Sequence, residues 1–337
     1  LGVHVVFTAD RPGSVPSSVT SGVQRRVVLR LADEMGYAVL DAPNDVLTEA
    51  SPAGRALVSG NETQLAVLGG SSVAAEQSEA MTRLAADMRT AGAVPAPGIP
   101  SLPAIVPVED LPQAPGAPLV LGLAEETLEP FELEPAGAFA LAGPPGSGRS
   151  SALRVIAERL FERGDMPVYY IGNKRSALAS DIRFAARATT IEDVTDLAKL
   201  VREIVIDEDA TSRVAVIIEQ LGDFLQSSAD APLVDLVRAI KREDHFAVAE
   251  AESSSWVTSW PLFGEFKSAR RGLILQPDST DGDVILKTSL PRIKRAEFPV
   301  GRGMLVASGA AIRVQLALAS TPDGADSLVG ASVRRGL

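Results

Sequence analysis

Short apolar runs alternate with longer amphipathic segments through the second half of the chain. Six runs are typical of buried strands: 138–142, 168–171, 214–218, 245–249, 273–275 and 304–307. Four segments between them carry apolar residues at helical spacing: 152–163, 191–206, 232–242 and 256–270. Two further runs, 119–123 and 128–133, read as paired strands leading into this series. The alternation predicts an α/β domain whose sheet has a parallel core and helices on both faces.

The first 92 residues have a different organisation. Strand-like runs are expected at 4–10, 26–31, 56–58 and 62–68, with a short helix or turn at 37–40 and an amphipathic helix at 72–89. A segment of this kind, beginning within a sheet, is expected to be the tail of a domain.

Eight prolines lie between positions 95 and 118. This density forbids a helix and favours extended backbone, so residues 93–118 are expected to form a semi-rigid connector on a surface. The predicted domains are therefore 1–92, a linker at 93–118, an α/β module at 119–320 and a tail at 321–337.

Composition excludes several classes of function. The sequence has no cysteine and only two histidines, which rules out disulfides and thiolate chemistry and disfavours histidine metal sites. The net charge is −11, whereas proteins that bind a nucleic-acid backbone usually carry a basic balance. No apolar run approaches a membrane span, and no signal peptide pattern is present at the start.

A glycine-rich stretch joins the apolar run 138–142 to the helical segment 152–163. It reads Gly143, Pro144, Pro145, Gly146, Ser147, Gly148, Arg149, Ser150 and Ser151. Strand, glycine-rich turn and helix are the context of a phosphate-binding loop, in which backbone N–H groups and the helix N-terminus face the phosphates. Ser150 is a candidate magnesium ligand, but Arg149 stands where such loops carry Lys. The alternative is a Gly-Pro turn without a ligand.

Three short motifs in the first part of the chain recur in the same order in its last part. His4-Val5-Val6 matches His245-Phe246-Ala247, Gly54-Arg55 matches Gly301-Arg302, and Gln64-Leu65-Ala66 matches Gln315-Leu316-Ala317. The pattern predicts two copies of one module, of which the first is represented by its last third. Chance similarity of short motifs is the alternative.

These motifs resemble the FtsK/SpoIIIE group of RecA-like P-loop ATPases. Residues 4–12 and 24–31 are similar to strands in the last third of that fold, and Gly301-Arg302-Gly303 is similar to its late turn. Tandem modules without a winged-helix segment resemble the EccC/EssC ATPases of type VII secretion. The resemblance implies a RecA-like sheet preceded by a partial copy, ATP and Mg²⁺ as cofactors, and ring or module neighbours as partners. It also implies a cytoplasmic location at the inner face of the membrane, through the parent chain.

Several positions depart from the family pattern. Where the family has Asp and then Glu after an apolar strand, this chain has Glu219, a candidate to hold Mg²⁺, and Gln220, whose amide cannot act as a general base. The strand tip Thr8-Ala9-Asp10-Arg11 of the first copy is Ala249-Glu250-Ala251-Glu252 in the second. With Arg149, these changes predict a module that binds nucleotide and hydrolyses it slowly or not at all.

The resemblance further implies docking of small helical secreted substrates. Trp256, Trp260 and Phe263, beside Leu262, form the densest aromatic cluster and are a candidate lining for such a helix. The alternative for these rings is burial in the core. Two other functions remain open: a DNA translocase motor of the same superfamily, although the acidic charge makes DNA an unfavoured partner, and a small-molecule phosphotransferase.

Overall fold

The chain separates into two compact units, Leu1–Gly98 and Ile99–Leu337, in the computed structural model. The structure describes residues 4–94, 98, 100–207, 209, 212–307 and 309–319. The predicted tail at 321–337 and part of the predicted linker lie outside these residues.

The described residues of the first unit form a small antiparallel sheet and three α-helices. Its elements are α1 (Ser17–Thr20), β1 (Val27–Leu29), α2 (Glu34–Val39), β2 (Arg55–Val58), β3 (Asn61–Gln64) and α3 (Ala74–Thr90). The strand order is β1-β2-β3. A small core of Val28, Tyr37, Leu47 and Leu57 holds the sheet against α2. The carboxylate of Asp33 caps α2 by accepting from the Gly36 N–H at 2.7 Å.

The expected strand at residues 4–10 is wrong. The segment has no regular structure from residue 4 to 9, and the side chains of Val5 and Val6 are exposed. No strand in the described part of the first unit pairs with it, and an unpaired extended segment leaves its backbone groups to water.

The second unit is built on one ten-stranded mixed sheet. Its strands are β4 (Leu119–Ala124), β5 (Pro130–Leu133), β6 (Gly137–Gly143), β7 (Val168–Ile171), β8 (Ala186–Ala188), β9 (Ala215–Ile218), β10 (Phe246–Glu252), β11 (Gly272–Leu275), β12 (Arg302–Ala307) and β13 (Ala310–Leu316). Their order is β5-β4-β13-β12-β11-β6-β10-β9-β7-β8. The six strands from β11 to β8 are parallel, and the other four are antiparallel. The predicted parallel core is confirmed.

Helices cover both faces of this sheet. They are α4 (Arg149–Arg163), α5 (Ile191–Val205), α6 (Asp230–Arg242), α7 (Ser253–Trp256) and α8 (Pro261–Ser268). One core packs α5, α6 and α8 on one face, and the other packs α4 on the opposite face. The central strands are buried on both sides, which explains their uninterrupted apolar runs. Of the described helices, none is long and apolar enough to cross a membrane.

Two predictions about local structure need correction. The helix expected at 256–270 is shorter: α7 ends at Trp256, and α8 begins only at Pro261, a residue that starts helices well and cannot continue one, and ends at Ser268. Strands β8 and β13 were not predicted. Strand β8 has only three residues, and the polarity of β13 is irregular, so neither gives a clear periodic pattern.

The later part of the predicted connector packs into the second unit. Val106 and Leu111 are buried in the core that covers α4, and the carbonyl of Leu102 accepts a hydrogen bond from Arg302. This stretch is therefore part of the second unit rather than a free surface spacer.

The hairpins β2–β3 and β12–β13 share their register and their hydrogen bonds. Each follows a glycine with positive φ, Gly54 at +80° and Gly301 at +78°. The shared features are the cross-strand pairs Arg55–Gln64 and Arg302–Gln315, and amide donation from Gln64 to the Ala53 carbonyl (3.0 Å) and from Gln315 to the Val300 carbonyl (3.0 Å). The segment before β1, by contrast, lacks the strand structure of β10.

Candidate nucleotide site

The glycine-rich loop at 143–151 lies at the carboxyl end of the parallel core. It follows β6, which pairs with β10 on one side and β11 on the other, and it leads into α4. Ligand sites of open α/β sheets form at this edge. Gly146 and Gly148 have φ of +77° and +100°, a backbone conformation that residues with a Cβ rarely adopt.

A second turn supports the loop from behind. The Gly301 N–H donates to the Ser147 carbonyl at 2.9 Å. A Cβ at Gly148 would lie 3.2 Å from Val300 Cγ1, so the two turns touch where glycine is needed. The side chain of Ser147 is buried, and its hydroxyl has no hydrogen-bond partner among the described residues. The loop conformation is thus held by the late Gly-Arg turn.

Arg149 is bound to the protein itself. Its Nη1 donates to the Gly143 carbonyl at 3.1 Å, and its Nε lies 3.0 Å from Glu250 Oε1. A second, longer ion pair joins Arg149 to Glu252 at 3.6 Å. Only 16% of the Arg149 side chain is exposed. The guanidinium fork therefore bridges the loop and the tip of β10, instead of extending freely over the loop as a lysine ammonium would.

Glu250 is the buried partner in this bridge. Its side chain is 5% exposed, and its Oε2 accepts from the Gln220 N–H at 3.0 Å. Burial raises the pKa of the Glu250 carboxyl, whereas the Gln220 N–H and the Arg149 guanidinium oppose the shift. The carboxylate links the tips of β9 and β10 beneath the loop.

Glu219 and Gln220 follow β9 and face different environments. Glu219 is buried, and its Oε2 accepts from the Tyr170 hydroxyl at 2.5 Å. Burial and this hydrogen bond raise the pKa of the Tyr170 phenol, so the hydroxyl stays protonated as a donor. Gln220 is exposed with φ of +53°, and its side-chain oxygen lies 3.4 Å from the Asn173 amide. One carboxylate oxygen of Glu219 thus already accepts a hydrogen bond from within the protein.

An apolar pocket of about 330 Å³ opens beside the loop. Gly148, Ser151 and Ala152 form one side, at the start of α4. The remaining walls come from residues 104–106, 299–301 and 315–318. A pocket of this size and polarity next to a phosphate-binding loop has the dimensions to receive the base of a nucleotide.

The residues fit a nucleotide better than they fit a metal ion bound by the protein alone. The open backbone at Gly146 can receive phosphate, and the exposed Ser150 hydroxyl at the start of α4 can ligate Mg²⁺. Among the described residues, no group of three or more acidic or histidine side chains is placed to hold a metal. A magnesium ion here would depend on Ser150, Glu219 and the phosphates themselves.

The structure places the three residues of the predicted aromatic lining in different environments. Trp256 and Phe263 are 0% exposed and pack edge to face with ring centroids 4.8 Å apart, so they belong to the core and cannot line a groove. The indole N–H of Trp256 donates to the Ala251 carbonyl, which ties the ring to β10. Trp260 remains 38% exposed at the start of α8. Of the three proposed residues, only Trp260 is available on the surface.

Sequence reasoning missed Tyr170 and the pocket walls. Tyr170 lies in a fully buried strand, where a tyrosine reads as core, and only the sheet brings its hydroxyl to Glu219. The wall at 104–106 belongs to the proline-rich stretch that was expected to be a linker. The sequence signal nearest to this wall is the late Gly301-Arg302 turn, because Arg302 donates a hydrogen bond to the Leu102 carbonyl of the proline-rich stretch.

Solved structures with the same fold include several secretion ATPases. The chain aligns over 91% of its length with Thermomonospora curvata EccC (ATPases 2 and 3) in complex with a signal sequence peptide, with 20% identity and a TM-score of 0.72. It also aligns over 92% with EssC (ATPases 2 and 3) from Geobacillus thermodenitrificans, with 16% identity and a TM-score of 0.55. It spans 60% of the first of these chains and 64% of the second. No protein-family model and no curated protein matches the sequence.

These likenesses establish the fold. The chain has the architecture of FtsK-like, RecA-like P-loop ATPase domains, and EccC and EssC ATPase domains share it over most of the chain. The expected RecA-like fold is therefore confirmed.

Proposed function

We propose that the second unit is a nucleotide-binding module that takes ATP at the loop of residues 143–151. One observation carries the proposal: a glycine loop with open backbone at Gly146 and positive φ at Gly146 and Gly148 meets an apolar pocket of about 330 Å³ at the start of α4. The phosphates would lie at the loop and the helix N-terminus, and the base would lie in the pocket. When Mg²⁺ is bound, it would neutralise phosphate charge beside Ser150.

We further propose that this module hydrolyses ATP slowly or not at all. Gln220 stands where a carboxylate would accept a proton from the attacking water, and a neutral amide is a far weaker base. Arg149 is held by Gly143 and Glu250, and one oxygen of Glu219 is held by Tyr170. Loss of a general base alone typically slows a reaction by about 10²–10⁴-fold. Bound ATP would then stabilise the folded module by mass action.

We place the chain within a type VII secretion ATPase, as the end of one module followed by a second, degenerate one. The shared fold with EccC and EssC domains and the matching registers of β2–β3 and β12–β13 support this arrangement. The parent chain would hold the modules at the inner face of the membrane, and neighbouring modules would be its partners.

Docking of a small helical secreted substrate is the remaining part of the proposal. The EccC structure with the same fold holds a signal sequence peptide. In this chain Trp260 and Val257 are exposed in the connection between α7 and α8, and they are candidate anchors for an amphipathic helix.

Calorimetry on the full chain tests nucleotide binding. ATP is titrated with and without Mg²⁺, and any nucleotide that co-purifies is identified after denaturation. We expect a saturable site and a hydrolysis rate at least about 10²-fold below that of an active P-loop motor. Absence of both retained nucleotide and binding heat would refute the proposal.

Hydrolysis and DNA binding are measured on the same preparation. Rapid turnover would refute the degenerate assignment while leaving nucleotide binding intact. Duplex DNA binding with a steep salt dependence would favour the translocase instead, and we expect none from a chain with a net charge of −11.

A further inference from the structure

Arg302 contacts the proline-rich stretch that walls the apolar pocket. Its Nη2 donates to the carbonyls of Leu102 and Pro103, at 2.8 and 2.7 Å. Its Nε donates to the side-chain oxygen of Gln315 at 3.2 Å. Gln315 is itself buried and donates to the Val300 carbonyl. A rigid planar guanidinium thus joins the late turn to the backbone of the stretch at 102–106, which we term the strap.

The side chains of Leu102 and Val106 are buried, but the backbone between them relies on hydrogen bonds from other segments. Extended proline-rich backbone makes no internal hydrogen bonds, so its carbonyls depend on donors from outside. At its far end, the Leu318 N–H donates to the Val106 carbonyl at 2.8 Å, and the Val108 N–H donates to the Leu318 carbonyl at 3.0 Å. Arg302 supplies the anchor at the near end, and the residues between the two anchors line the pocket.

The same turn also contacts the phosphate loop. Gly301, next to Arg302, donates its N–H to the Ser147 carbonyl at 2.9 Å, and Val300 lies against Gly148. One short turn therefore sets two surfaces: the back of the phosphate loop and the strap. A change in Arg302 would disturb the second surface while leaving the first in place.

We propose that Arg302 is a positioning residue for the nucleobase. It holds the strap at the distance that makes residues 104–106 a wall of the pocket, and its hydrogen bonds go to residues outside the phosphate loop. This inference rests on the proposed nucleotide site. It assigns recognition of the base to the strap and recognition of the phosphates to the loop, as separable contributions to affinity.

The first unit provides a matched control. Arg55 occupies the corresponding register position, opposite Gln64, and its Nη1 pairs with Glu62 at 3.1 Å. A substitution at Arg55 removes an arginine from an equivalent hairpin in the first unit, whereas the strap belongs to the second unit.

The test compares ATP with inorganic tripolyphosphate, which has the phosphates and lacks the base. Affinities of both are measured by calorimetry for the full chain and for the variants Arg302→Gln, Arg302→Lys and Arg55→Gln. Loss of two charge-assisted hydrogen bonds to the strap should weaken ATP binding by about tenfold in Arg302→Gln. Tripolyphosphate affinity should stay within about twofold, and Arg55→Gln should change neither. Arg302→Lys keeps the charge but not the fork, so its ATP affinity should lie between those of wild type and Arg302→Gln.

Amide hydrogen exchange gives a readout that does not depend on nucleotide. Protection at Val108 and Leu318 should fall in Arg302→Gln, while protection within α4 is retained. Equal loss of ATP and tripolyphosphate affinity, or unchanged ATP affinity, would overturn the inference. If wild type binds neither compound, the proposed function fails and the assignment of the base fails with it. Reduced amide protection at Val108 and Leu318 would in that case show that Arg302 holds the strap, but not that the strap binds a base.

Discussion

The buried contact between Tyr170 and Glu219 should contribute measurably to the stability of the second unit. The Tyr170 hydroxyl donates to Glu219 Oε2 at 2.5 Å, and both side chains are buried. Replacing Tyr170 with Phe removes the donor and keeps the ring. It leaves the carboxylate oxygen without this partner in a region that water reaches poorly.

The expected cost follows from the type of bond. A hydrogen bond to a charged group contributes about 1.5–3 kcal/mol, and the ring itself still fills its place in the core. We therefore expect the free energy of unfolding to fall by about 2 kcal/mol. With a urea dependence of about 3 kcal/mol per M, the midpoint would shift down by about 0.7 M.

Urea unfolding followed by tryptophan fluorescence measures this effect. Both tryptophans of the sequence, Trp256 and Trp260, lie in the second unit, so the signal reports on that unit. Tyr169→Phe is the matched control. Tyr169 precedes Tyr170 in β7 and faces the opposite core, and within the described chain its hydroxyl has no hydrogen-bond partner.

Tyr169→Phe should change the free energy of unfolding by no more than about 0.5 kcal/mol. The cost of Tyr170→Phe should also be smaller in a Glu219→Gln background, because the charged acceptor is already gone. Equal effects of the two tyrosine substitutions would refute a specific hydrogen bond between Tyr170 and Glu219.

Two further predictions concern the loop and its buried carboxylate. Gly148→Ala should lower the free energy of unfolding by about 1–2 kcal/mol and weaken ATP binding, since φ is +100° and the new Cβ would meet Val300 at 3.2 Å. Gly116→Ala is the control, because φ is +72° there but the space around the new Cβ is open. It should lower the free energy of unfolding by less, as measured by thermal unfolding, and calorimetry should show a smaller effect on ATP binding. For Glu250, burial raises the folded-state pKa above the ordinary value of 4.5, so the folded protein takes up a proton more readily than the unfolded chain. Wild type should therefore gain stability relative to Glu250→Gln as pH falls from neutral toward 4.5, and parallel pH profiles of urea midpoints would contradict this.

Much of the second unit could be predicted from sequence because its signals are local. Strand β7 was predicted with its observed bounds, and the helix at 191–205 differs by a single residue from its expected range. Buried parallel strands give continuous apolar runs, and helices that pack on them give a 3.6-residue period. The loop at 143–151 was recognisable for the same reason: its glycines, its preceding strand and its following helix are adjacent in sequence.

The sequence by itself determined the α/β alternation, the loop, the acidic charge and the unusual residues Arg149 and Gln220 at the expected site. It did not show what those residues contact. The bridge from Arg149 to Glu250 spans 101 positions of the chain, and it exists because β6 and β10 are neighbours in the sheet.

Only the tertiary structure decided two further points. It buried Trp256 in the core and left Trp260 exposed, although both lie in one aromatic cluster. It made residues 104–106 a wall of the pocket, because Arg302 and Leu318 are brought to the stretch at 102–106 by the order of the strands. The physical reason is common to both: side-chain contacts between distant segments depend on strand order and burial, which sequence periodicity does not encode.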